Sequence, residues 1–486
     1  MKKYIKILFI TILGLSFWSC GDEFLDRLPE GEVANPEELG VGGLEAQVFG
    51  IYSLLRSTNV GSWQRHWFGS IRSDDAEKGS TTADSATNGS AFNDFQYAAS
   101  NGLSTGWWDA HYEVIFACNE VINIVVDDQL TDEGSLINEA EARAMRALMY
   151  FELRRDYGEV PIITATIDEI EDAIAAKSSV ADIDALIISD LEIAIEQLPS
   201  NWTTHPGRST SGFANSLLAK LYLYQEDWTN ALAKCTEVIN SGAYSLHSSL
   251  EELFEFEGDT GVESVFEIQQ LVTSNGERYA NIYFVSQGVR GTGDWNLGWG
   301  FNVPNQGLVD AFEAGDLRFD NTILISGEDD GGFGGGTLPE SPPLAQPYWN
   351  KKAYTKAARR VEFGTNANRW ENIKIIRYAD VILMAAESAN ELGQTADAIN
   401  YINQIRSRAG LGNTTAASQS EIRDAIKQER RVEFALEESR FYDLVRWGDA
   451  LSTLGSLGYE DRHALYPIPQ DAIDQAGGLL VQNPDY

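Results

Sequence analysis

Two stretches of this chain set aromatic rings among short polar side chains, with neither a helical nor a strand period. The first holds Trp63, Gln64, Arg65, His66, Trp67, Asp74, Asp75, Asn93 and Tyr97. The second holds Arg290, Asp294, Trp295, Asn296, Trp299 and Asn302. The chemistry open to such sets is recognition. An indole or phenol ring stacks on the C–H face of a sugar ring, while carboxylates, amides and guanidinium groups take up hydroxyls. Long non-periodic segments on a scaffold are where binding residues concentrate. Each tryptophan also has a plainer reading, as part of an aromatic cluster packed beneath a loop. Asp74 and Asp75 could equally fix the loop that carries them.

Residues for bond-making chemistry do not assemble. Five histidines, His66, His111, His205, His247 and His463, include no His-Glu-x-x-His pair. No Gly-x-Ser-x-Gly elbow occurs. Cys118 and Cys235 lie in apolar helical patterns like small core residues, with one disulfide between them left open in an oxidising compartment. With 73 Asp+Glu, chance carboxylate pairs are everywhere, so a glycosidase pair is neither located nor excluded. The glycine-rich run 331–336 continues as Thr337-Leu338, not the Lys-Ser/Thr of a phosphate loop, and lacks the spaced acids of a calcium loop. It reads as a flexible surface loop. The expectation is a binding protein, not an enzyme, with no cofactor and no metal.

Composition bounds the rest. At 43% hydrophobic and 22% charged, 486 residues are too apolar for disorder and too charge-broken for a polytopic membrane protein. A net charge of −37 repels phosphate backbones, so no nucleic-acid partner is expected. The same acidity favours a neutral glycan over an anionic one.

Lys2, Lys3 and Lys6 precede an apolar run at 5–17 that ends at Ser19-Cys20. This reads as a lipoprotein signal over 1–19, an acylated Cys20 and a tether over 20–36, anchoring the protein without a membrane-spanning helix. Phe17 stands where Leu is usual, and an ordinary secretory signal with a chance cysteine is the alternative. Removal of 1–19 takes three lysines and deepens the charge from −37 to −40.

The elements that must position the aromatic segments are helices. Apolar spacing predicts a helix over 37–56 and helical pairs near 107–157, 179–241 and 376–448, the last ending in a helix over 419–437 that runs on through 440–448. The stretches 57–106 and 243–375 read as loop-rich, with one strand at 264–269. Small residues among large ones, Ala214 and Ala219, then Ala385, Ala386 and Ala389, let paired helices approach closely, a plan similar to tetratricopeptide hairpins. Trp108, Tyr112, Trp228, Trp370 and Trp447 fall on helical or flanking segments and read as core.

Several motifs occur in a fixed order. They are Cys20 with Phe24-Leu25-Asp26; Trp108-x3-Tyr112-x2-Ile115-x3-Asn119; Glu141-Ala-Arg-x2-Arg146-Ala-Leu-x-Tyr150-Phe with Gly158-Glu-Val-Pro161; and Leu218-Ala-Lys-Leu-Tyr222 with Asp227-Trp228. Arg377-Tyr-Ala-Asp380 through Glu387, Glu429-Arg-Arg-Val-Glu433 through Glu437, Arg440-Phe-Tyr-Asp443-Leu-Val-Arg446-Trp-Gly, Tyr466-Pro-Ile-Pro469 and terminal Gln482-Asn-Pro-x-Tyr486 complete the series. In this order the chain resembles the SusD/RagB family of Bacteroidetes outer-membrane lipoproteins. The resemblance implies a mainly α fold: tetratricopeptide-like helical pairs plus an irregular, loop-rich ligand-binding half with a few short strands, in a single domain over 37–486. It implies an outer-membrane, cell-surface lipoprotein that captures polysaccharide or oligosaccharide, or in some members peptide, for a SusC-like TonB-dependent transporter. Family ligand loops diverge, so the resemblance assigns no site residue. Arg377, Asp380, Arg440 and Asp443 are expected to lock helices. Rival readings are a peptide-binding member, a surface glycoside hydrolase, and a scaffold whose two aromatic segments are merely packed.

Overall fold

Helix ends in this chain are written in short polar side chains. The computed structural model describes residues 36–166, 174–272, 278–366 and 368–486. The signal segment, Cys20 and the tether up to residue 35 lie outside the described residues. The chain divides into Met1–Ala46 and a main unit, Gln47–Tyr486. Helix α1 covers Pro36–Leu55, α2 Gln64–Gly69, α3 Asn88–Asn93, α4 Gly102–Asp127 and α5 Glu133–Tyr157. Then come α6 over Val180–Gln197, α7 over Ser211–Tyr224 and α8 over Trp228–Ser241. Asn101, Asp132, Ser179, Thr210 and Asp227 cap α4 to α8, each side chain accepting a backbone N–H of the first turn. Asp132 explains why α5 starts more than a turn before its motif residues. Gly242, at φ 64°, ends α8 in the left-handed region.

After the loop-rich stretch the chain returns to helices: α9 Tyr378–Glu391, α10 Thr395–Arg408, α11 Gln419–Glu433 and α12 Arg440–Arg446. Successive helices pack on one another: α4 on α5, α5 on α6, α7 on α8, α9 on α10. Ala386 and Ala389 meet Ala398, Ile402, Ile422 and Ile426 in one buried cluster. A larger residue at either alanine would force backbone movement at about 1–3 kcal/mol. The fold is mainly α, with paired helices as expected. Cys118 and Cys235 are free and buried, and burial pushes both thiols up. No helix among the described residues is long and apolar enough to cross a membrane.

Of the four motif charges, Arg377, Asp380 and Asp443 do lock helices, whereas Arg440 turns instead to Asp74 in the loop-rich stretch. Arg430 reaches Asp380 and Asp443, each at 2.8 Å, and Lys220 reaches Asp380 at 2.8 Å. Arg377 joins Glu433 at 3.0 Å and Glu437 at 2.8 Å. Burial alone would raise the Asp380 and Glu433 carboxyls, but Lys220 and Arg430 hold the first, and Arg408, Arg377 and Arg318 the second, well below the usual carboxylate range.

Three of the four two-stranded antiparallel ribbons among the described residues organise the irregular half, the fourth being the short pairing of Leu271–Val272 with Arg278–Tyr279. Strand β1 (Ala76–Gly79) pairs with β3 (Phe301–Pro304), in register Ala76 to Pro304 and Gly79 to Phe301. Strand β2 (Ser264–Ile268), the expected one, pairs with β6 (Ile373–Arg377). Strand β4 (Ile323–Ile325) pairs with β5 (Tyr348–Asn350).

Three local expectations are corrected. The stretch 57–106 is not all loop: α2, β1 and α3 lie in it, and each is too short to print a period. The helix expected over 419–437 stops at Glu433, because Leu436 and Glu438 take positive φ of 64° and 69°, and α12 is separate. The glycine-rich run 331–336 is an ordered loop, closed by a bridge from Asp329 to Thr337 with Phe333 and Asp330 buried.

Candidate functional site

Pairing of β1 with β3 brings the two aromatic segments together, though more than two hundred residues separate them in sequence. Trp63 caps α2 and Trp67 lies one turn on. Trp299 stands edge-on to Trp63 at 5.8 Å and 88°, and Trp63 stands edge-on to Trp67 at 6.0 Å and 81°. Trp67 in turn meets Phe301 at 5.1 Å. The three indoles climb from the core to the surface. Trp67 is 0% exposed, Trp63 is half-buried and Trp299 is 37% exposed.

Arg290 ties the same two loops by charge. Its guanidinium donates to Ser80 Oγ at 2.8 Å and pairs with Asp84 at 2.7 Å. A bridge between Arg290 and Asn296 closes the loop that presents Trp295. Trp295 is half-buried against the cluster of Leu297, Phe333, Leu344 and Trp349, and lies parallel to Tyr354 at 6.3 Å and 12°. Beside it opens a cleft of about 720 Å³, lined by Asp294, Asn296, Gly334, Gly335, Arg360 and Asn366 among others. Gly335 has no room for a Cβ: one would sit 2.5 Å from the Tyr354 hydroxyl. The glycine-rich loop is therefore a wall of the cleft, shaped so that backbone lies close to the ring.

The other candidates face inward. Tyr97 is buried, donating its hydroxyl to His463 O at 3.2 Å. Asn302 is 0% exposed and donates to Gln287 at 2.7 Å. Asp74 takes two bonds from Arg440 at 2.7 and 2.9 Å, and Asp75 takes Arg431 at 2.7 Å. Burial works against the Asp74 charge, yet Arg440 and Arg431 hold its carboxyl below the ordinary value. At Asp75 burial wins and pushes the carboxyl up to about 6. Arg65 is spent on Glu152 and Glu438, and burial lowers His66 to about 3, leaving it neutral. Trp67, Tyr97, Asp74, Asp75 and Asn302 therefore build the support for the site; their polar atoms are engaged or enclosed. Arg290, Trp295 and Trp299 keep surface to offer, with the flank of Trp63.

Tyr354, Arg360 and the loop at Gly334–Gly335 escaped the sequence reading. A signal was present: Gly331, Gly332, Gly334 and Gly336 all take positive φ, so the glycines specify one backbone shape. Among the described residues no group of His, Cys, Asp and Glu is arranged to hold a metal.

Comparison with known proteins agrees with this architecture. A profile of the SusD family matches residues 262–461, and one described as starch-binding associating with outer membrane matches residues 24–223. The chain belongs to the SusD family. A relative from Formosa agariphila, SusD-like protein P2, is 28% identical with both chains covered in full. Among solved structures, the surface glycan-binding protein A of Bacteroides fluxus is similar at 26% identity and a TM-score of 0.77, covering 92% of this chain and 99% of its own. A laminarin binding SusD-like protein is similar at 26% identity and a TM-score of 0.76, with the same coverage. This SusD-family chain thus carries the family's helical pairs, with the Trp63–Trp299 ridge and the Trp295 cleft set in its irregular half.

Proposed function

We propose that this protein captures a neutral polysaccharide or oligosaccharide, a glucan by preference, at the cell surface and delivers it to a TonB-dependent transporter of the outer membrane. It is held there by acyl chains on Cys20. The observation that carries the reading is the exposed Trp299 ring, immobilised on Trp63 and flanked by the polar cleft of Trp295. A ring fixed before the ligand arrives loses little freedom on binding. The net charge of −37 supports an uncharged ligand, and the laminarin-binding relative supports a glucan.

Affinity electrophoresis tests it. Gels containing laminarin or starch should retard the protein, and gels containing alginate should not. Trp295→Ala and Trp299→Ala together should restore free migration. Retardation by alginate alone, or full retardation of the double variant, would sink the proposal.

A further inference from the structure

A second aromatic cleft lies where the loop joining α6 to α7 meets β2, and no residue of it belongs to the surface just described. The loop joining α6 to α7 folds back over the body through Trp202. Its indole N–H donates to Ser209 O at 2.8 Å. The Arg208 guanidinium lies 3.9 Å from the ring centroid. Arg208 is itself anchored, donating to Glu141 of α5 at 2.9 Å. Tyr52 joins in, donating to Glu141 and accepting from Ser209 N, both at 2.7 Å. A half-exposed loop tryptophan is thus held by a chain of contacts that reaches the buried interior.

A second ring, Tyr244, lines the same cleft. It lies against Gly212, where a Cβ would come within 2.4 Å of the phenol oxygen, and its hydroxyl meets Thr210 Oγ1 at 2.9 Å. The residues of β2 from Ser264 to Glu267 complete a cleft of about 230 Å³. Its charges are spent internally. Arg208 faces Glu141, and Glu267 is met by Lys374 at 2.6 Å, Asn372 at 3.0 Å and Thr260 N at 2.9 Å. Thr210 is shared with Tyr244 and the Phe213 N–H, and the Gln269 amide with Asn372 and Glu267, so the lining is left with the amide of Asn201 and the hydroxyl of Ser264, plus two fixed rings. That set recognises an uncharged polyol. The volume lies below the ~300–1,000 Å³ of ordinary ligand pockets, which suits the end of a chain.

We infer that the Trp202–Tyr244 cleft is a second carbohydrate site, taking one or two terminal units of a neutral oligosaccharide. The Trp202 indole N–H provides its reporter in a ¹H–¹⁵N spectrum, assigned by its loss in Trp202→Ala. Laminaritriose, cellotriose and maltotriose are titrated into the protein carrying Trp295→Ala and Trp299→Ala. At least one should shift the reporter saturably in the millimolar range. Asn201→Ala should weaken that titration about threefold to tenfold, as expected for one hydrogen bond. Ser264→Tyr, which fills the cleft on a strand that tolerates Tyr, should abolish it while the reporter keeps its free position. No shift with any trisaccharide, or a shift that Ser264→Tyr leaves unchanged, overturns the inference. The readout is independent of the first site: failed retardation there would leave the Trp202 titration standing, and the reverse.

Discussion

The stretch around Trp63–Tyr97 and the stretch around Arg290–Asn302 look alike on paper and do opposite work. Both mix tryptophan with Asp, Asn and Arg. In the first, Trp67 and Tyr97 are buried, and Arg72 lies with its guanidinium 3.5 Å from the Phe441 ring centroid and 4.0 Å from that of Tyr466. In the second, Asp294 and Asn296 are exposed and the rings of Trp295 and Trp299 reach solvent. Composition does not separate them. Partners distant in sequence do: Arg431 and Arg440 claim the acids of the first stretch, and α12 and Tyr466 claim its rings. The second rests on the first, through Trp63 and the β1–β3 pairing, and on the glycine-rich loop, while Asp294 and Asn296 stay exposed at its rim.

The sharpest way to break this contrast is Trp67→Ala. Removing a fully enclosed indole costs on the order of 3–5 kcal/mol. Thermal unfolding should show a large fall in Tm, with glycan retention lost only in step with the folded fraction. A Tm within a few degrees of the parent would mean the first stretch is not the scaffold described here.

Next in size is a pH effect at Asp75. Its folded carboxyl is raised to about 6 from the ordinary 3.8, so between those values the folded state holds the proton more tightly than the unfolded chain. Stability from this group is fully present below about 4 and lost as pH rises through 6, a change of roughly 3 kcal/mol. Asp380 runs the other way. Its lowered carboxyl contributes stability that is present above the unfolded value and lost as pH falls from there through the lower folded value. Denaturation of the parent minus Asp75→Asn, from pH 4 to 7, isolates the first effect. A flat difference would remove Asp75 from the account.

Smaller still is Arg440→Ala, which frees Asp74 while leaving Arg431 beside it at 3.1 Å. A partly buried, doubly bonded pair should cost about 1–2 kcal/mol by urea denaturation. Binding at Trp299 should fall little, since the tie supports β1 from behind. A loss of binding beyond the loss of folded protein would place Asp74 in the ligand site after all.

How much of this was legible follows the range of the interactions. Helices α5 to α10 were readable because caps such as Ser179 and Asp227, and the alanines of α9, act within a few residues. Arg377 and Asp380 were recognisable as locks for a different reason: their partners Glu433 and Arg430 are distant in the chain but stand in the same ordered motifs. The fate of Asp74, Asp75 and Tyr97 was not legible, because it is settled by Arg440, Arg431 and His463, more than three hundred residues away in the chain. At the site, Trp295 and Trp299 could be named but not distinguished from Trp67. The wall at Gly334–Gly335 was dismissed because glycine marks a loop without saying what the loop lies against.

The smallest expected effect on stability belongs to Trp299→Ala. Its ring is 37% exposed and touches Trp63 by one edge, so truncation should change unfolding by less than about 1 kcal/mol. If stacking on a fixed ring carries recognition, the same change should weaken glucan retention by about tenfold to a hundredfold, the 1.4–2.8 kcal/mol of a lost aromatic contact. Trp67→Ala and Trp299→Ala then form a pair with inverted signatures: one loses the fold and the other loses the ligand. Equal losses of stability in the two would show that Trp299 belongs to the same packed cluster as Trp67. The binding face would then have to rest on Trp295 and its cleft alone.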